Sequence, residues 1–120
     1  MLKNILLVGL GGSIGAMLRY IITLLLKVQN FPYQTLLVNI IGSLVIGLVF
    51  GLSAKNHNFP ESLKLFLATG ICGGFTTFSA FSIENMNMLK QGNYLLAILY
   101  IFASITLCII AVFAGFKLIN

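Results

Sequence analysis

GGFTTFSAFS, residues 73 to 82, decides how this chain folds. Apolar runs flank it, yet its ten positions hold two glycines, two threonines, two serines, three phenylalanines and no charge. Gly73 and Gly74 each weaken a helix by about 1 kcal/mol relative to alanine. Thr76 and Thr77 add β-branching, which restricts helical rotamers. The stretch therefore predicts a break inside a long hydrophobic helix. Irregular backbone at membrane depth survives only when buried in protein or lining a cavity. Unwound carbonyls and half-helix ends are also a recurrent ion site in membrane proteins. The break contains no carboxylate, so a cation there would be held by neutral carbonyls.

Moving outward, the chain reads as a membrane protein. It has 120 residues, 59% hydrophobic and only 8% charged, with a mean hydropathy of +1.07. Charged residues make up about a quarter of an ordinary soluble sequence. A bilayer core takes roughly 20 apolar residues of helix, and four such stretches are present: about 4–26, 33–53, 62–88 and 94–116. The expected architecture is an all-α, four-span membrane domain over residues 1–120 with its third helix broken. The connections KVQNFP, AKNHNFPE and KQGN carry the breakers and charges, including both prolines, Pro32 and Pro60. Nothing is left over for a water-soluble domain. Lys3 and ILLVGL begin like a signal peptide, but no small-residue cleavage site follows, and Arg19 lies inside the segment.

The net charge of +5 does not point to nucleic acid, because no basic stripe with interleaved aromatics exists. The lysines sit at span ends, as at a membrane interface. With four spans, Lys3, Lys55, Lys64 and Lys117 share one side; Lys27 and Lys90 share the other, with Arg19 snorkelling toward it. So slight a bias permits both orientations, and hence an antiparallel homodimer. Cys72 and Cys108 read as small buried hydrophobes, and His57 as a solvated loop residue.

Small residues recur four apart: Gly11 with Gly15, Gly12 with Ala16, and Gly47 with Gly51. Such spacing lets backbones approach closely in lipid, within one bundle or between subunits. Four polar features ask for more than packing. Asn39 must find partners, through an interhelical hydrogen bond or as a donor facing a pore. Arg19 anchors at the interface or attracts anions at an entrance. Tyr100, Ser104 and Cys108 fall on one helix face, a stripe that lines an anion path or bonds back to the preceding turn. Phe78 and Phe81 share a face after the break, where ring edges turned toward a narrow passage would favour a small anion. Glu84 follows on that face, near the span end, where a solvated cap would sit.

Taken together, GGFTTFSAFSIE (73–84), GGSIGAMLRY (11–20) and TLLVNIIGSLVIG (35–47) resemble the three hallmarks of the Fluc/CrcB fluoride channels. The resemblance covers essentially the whole chain. It implies a fluoride-selective channel that passively exports fluoride across the plasma (inner) membrane of a bacterium or other microbe. It also implies a dual-topology homodimer with an inverted copy and two pores. A structural sodium ion would be held by the backbone carbonyls of Gly73 and Thr76 from both subunits. The fluoride pore would draw on Asn39, Phe78, Phe81, Thr35, Ser79, Tyr100 and Ser104, with Arg19 and Glu84 as vestibule or anchor residues. Ala80 stands where many members have Thr, and Cys108 where some have Ser, so two hydroxyls are missing. A proton-coupled exporter would need an acidic residue within the membrane, and the first span has none. No nucleophile–base pair suggests an enzyme.

Overall fold

The computed structural model describes residues 1–26 and 31–120. Lys27, whose charge enters the sidedness count, and the rest of 27–30 lie outside the described residues. The described chain is all helical. Helix α1 spans Leu2–Leu25 and α2 spans Tyr33–Lys55. The third crossing is composite. A short α3 (Glu61–Lys64) runs into a π-wound segment, Leu65–Cys72, then a single turn α4 (Gly73–Phe75), and after the break α5 (Phe78–Lys90). Helix α6 spans Tyr94–Ile119. Four stretches, of 24, 23, 30 and 26 residues, are long and apolar enough to cross a membrane. The third exceeds what a straight crossing needs at about 1.5 Å per residue, leaving length for the break.

The helices pair as α2 with α6 and α1 with the π-wound segment and α4. Glycines set both contacts. A Cβ on Gly15 would lie 2.7 Å from the Phe75 backbone nitrogen, and one on Gly74 would lie 2.9 Å from Gly12 Cα. Across the other pair, a Cβ on Gly47 would lie 3.1 Å from Phe116 N, and one on Gly115 would lie 2.9 Å from Leu48 N. These small residues therefore serve close backbone approach within one chain. Apolar side chains such as Leu6, Leu24, Leu95 and Phe113 remain exposed, as expected for a lipid-facing surface.

The break differs in detail from the sequence expectation. Gly73 and Gly74 are helical. The chain extends only at Thr76 (φ −81°, ψ 158°) and Thr77 (φ −150°, ψ 118°). Gly74 is small because α1 touches it, and its intrinsic helix penalty is outweighed by that packing. The unwinding falls instead where side chains can take over the backbone's hydrogen bonds.

Candidate functional site

The site starts from the hydrogen bonds of the break. Thr76 N–H closes the last regular rung onto the Cys72 carbonyl at 3.0 Å. Thr77 N–H turns away and donates to Asn39 Oδ1 at 2.8 Å, while Asn39 Nδ2 donates back to the Thr77 carbonyl at 3.2 Å. The amide thus pairs with the main chain much as a neighbouring strand would. Thr77 Oγ1 caps α5 by accepting from Ala80 N–H at 3.1 Å, the N-cap role expected of threonine. Arg19 Nε donates to the Gly74 carbonyl at 3.2 Å.

The break opens the rungs of the Gly73, Gly74, Phe75 and Thr76 carbonyls, of which Arg19 takes that of Gly74. In a continuous helix the Gly73 carbonyl would accept from Thr77 N–H, and that of Thr76 from Ala80 N–H. Both donors are engaged by side chains instead.

A cavity of about 380 Å³ opens beside the break, lined by Asn39, Gly73, Thr76, Phe78, Phe81 and Ser104, with Ser43, Cys72 and Cys108 also on its walls. Ser104 is only 7% exposed, and its Oγ is buried without a hydrogen-bond partner. Phe78, by contrast, is 77% exposed. Its ring centroid lies 5.4 Å from that of Phe81, with the planes tilted by 43°. Phe81 in turn packs on Tyr100 at 5.0 Å.

A second polar cluster lies alongside. Tyr100, fully buried, donates its hydroxyl to Glu84 Oε1 at 2.7 Å, and Thr35 Oγ1 donates to Glu84 Oε2 at 2.6 Å. Glu84 is therefore no free solvated cap. Two hydroxyls from α2 and α6 hold its carboxyl within the bundle. Arg19 likewise does not simply snorkel outward, since its Nε is committed to the Gly74 carbonyl. It borders a small cavity of about 40 Å³ with Thr35, Thr77 and Ala80. Ser79 stands apart from both cavities, its Oγ 3.2 Å from Thr77 Oγ1.

Sequence reasoning missed two residues here. Thr77 is the N-cap of α5, a role legible in a threonine that opens a helical run, whereas its β-branching alone points only to a helix breaker. Asn85 is buried, donates to the Phe81 carbonyl at 2.9 Å, and leaves its Oδ1 unpartnered. An amide near a span end gives no sequence signal of burial. Among the described residues no group of three or more His, Cys, Asp or Glu could hold a metal ion.

Known proteins resemble this chain over nearly all its length. The family described as CrcB-like protein, Camphor Resistance (CrcB), matches residues 6–116. A protein of Azobacteroides pseudotrichonymphae named fluoride-specific ion channel FluC is 46% identical over 121 residues, covering 98% of this chain and 97% of its own. Proteins of the same name from Flavobacterium psychrophilum and Agrobacterium fabrum are 47% and 46% identical, covering 95% and 96% of this chain and 94% of each relative. With both the family match and these identities spanning almost the entire sequence, this four-span protein belongs to the CrcB family.

Proposed function

We propose that the protein is a fluoride-selective channel that lets fluoride leave the cell passively through the inner membrane of a microbe. The relatives named for that activity support the reading. The observation that carries it is the Ser104 hydroxyl, buried without a partner on the wall of a cavity shared with Asn39, Phe78 and Phe81.

Fluoride is small and strongly hydrated, so an apolar medium excludes it at a Born cost of tens of kcal/mol. A passage must replace its water with successive donors and positive ring edges. Ser104 supplies a free hydroxyl. Asn39 Nδ2 has a second N–H beyond the one given to Thr77. The paired phenylalanine rings supply edges. Thr35, Tyr100 and Ser79 do not border the large cavity; in this reading they belong to the track only through the adjoining Glu84 and Thr77 hydroxyl clusters, with Arg19 beside them. None of the groups facing the cavity is a lysine or arginine, so the ion is not trapped, as conduction requires.

The working unit in this reading is a homodimer with an inverted copy. The break and the exposed Phe78 ring lie on an open face, and irregular backbone cannot face acyl chains. A second chain covers it, and the slight charge bias, four lysines against two lysines and Arg19, allows that chain to lie upside down. The released Gly73 and Thr76 carbonyls fit a sodium ion, a hard cation that takes oxygen from unwound backbone. When bound, the ion supplies a fixed positive charge beside the passage.

Purified protein in liposomes tests the reading. A fluoride electrode should record rapid efflux, with chloride retained and no proton gradient needed. Proton-coupled exchange, or no flux of fluoride, would contradict it.

A further inference from the structure

We propose that Asn39 and Thr77 are positioning residues that create the cation site, each by diverting one backbone donor. This rests on the cation reading given above and adds to it the side chains that make the site exist. The Gly73 carbonyl is free because Thr77 N–H is held by Asn39 Oδ1 at 2.8 Å. The Thr76 carbonyl is free because Ala80 N–H is held by Thr77 Oγ1 at 3.1 Å. Neither side chain is needed as a ligand. Their effect is to stop the helix from closing its own ladder. Asn39 grips from another helix, 38 residues away, and its second bond, Nδ2 to the Thr77 carbonyl at 3.2 Å, fixes the peptide groups on both sides of Thr77. With Asn39 truncated, Thr77 N–H has no partner and the nearest remedy is the Gly73 carbonyl, which continues α4 by one residue. With the Thr77 hydroxyl removed, Ala80 N–H turns to the Thr76 carbonyl in the same way. Either repair costs the site one oxygen. Asn39 thereby links two tasks, since it lines the cavity while its oxygen shapes the break.

Equilibrium dialysis of the purified protein against radioactive sodium tests this without any flux measurement. Asn39→Ala and Thr77→Val are expected to bind sodium at least tenfold more weakly than the unmodified protein. Thr77→Ser, which keeps the hydroxyl, is expected to bind within about twofold of it. Phe78→Ile, which alters the passage and not the break, is expected to keep full sodium affinity. Sodium bound equally well by Asn39→Ala and Thr77→Val overturns the proposal. If Asn39→Ala does not purify as folded protein, the Val and Ser variants of Thr77 decide by themselves. An unmodified protein that binds no sodium defeats the cation reading itself, and this inference with it.

Discussion

At the scale of single residues, the break works by substitution of partners. Side chains of Asn39, Thr77 and Arg19 each take a main-chain group that a continuous helix would have satisfied internally. A buried backbone group left unpaired costs about 1–3 kcal/mol, so each replacement decides whether the break is affordable. The sequence made the polar residues visible and hid their partners. Asn39 was legible as an amide needing company, yet nothing in the chain order says that company is Thr77. Glu84 read as a cap because its position lies near a span end, and only the fold brings Thr35 and Tyr100 to it. Two predictions belong here. Phe78→Ile or Phe81→Ile should cut fluoride efflux from liposomes by at least tenfold, since the ring edge disappears while apolar bulk remains. Replacing Asn39 with Asp should lower efflux as well, because its acceptor is kept but a carboxylate repels the anion and sets an oxygen against the Thr77 carbonyl. Efflux at the unmodified rate in either case would remove that side chain from the passage.

At the scale of elements, packing sets where the third crossing can bend. The four spans were readable because about 20 apolar residues between charged loops have few other meanings. The break was readable as a region that includes Thr76 and Thr77, but its glycines stay helical, because contact with α1 holds Gly74 in a helical turn despite glycine's low propensity. The π winding of Leu65–Cys72 had no sequence signal at all. Gly15 and Gly9 separate packing from propensity. A Cβ on Gly15 would press on the backbone of Ile71 and Phe75, whereas one on Gly9 meets nothing within 4 Å. Gly9→Ala should therefore raise the stability of the protein in detergent by up to about 1 kcal/mol through helix propensity. Gly15→Ala should lower it by about 1–3 kcal/mol, because overpacking against backbone outweighs the same gain. Thermal unfolding of the two variants checks both signs.

At the scale of the whole molecule, one chain leaves the broken part of its third crossing on an open face. Gly73, Thr76 and the exposed Phe78 ring border a cavity on that face, with the buried Ser104 hydroxyl behind its wall. Lipid cannot satisfy them, and a twofold arrangement of inverted copies would put the same groups opposite one another. Chain order carried the hint only through a weak charge bias, four lysines against two lysines and Arg19, since contacts between separate copies leave no periodicity. A tag attached to either terminus should accordingly be reached by a membrane-impermeant reagent in roughly half of the molecules of sealed vesicles. Labelling of all or none would show a single orientation. The most direct measurement is a diffraction map of the protein crystallised from lipid in sodium. It should show two antiparallel chains with a lone peak between the Gly73 and Thr76 carbonyls of both. Acyl chains lying in the groove, or Thr76 and Thr77 wound into continuous helix, would contradict the account.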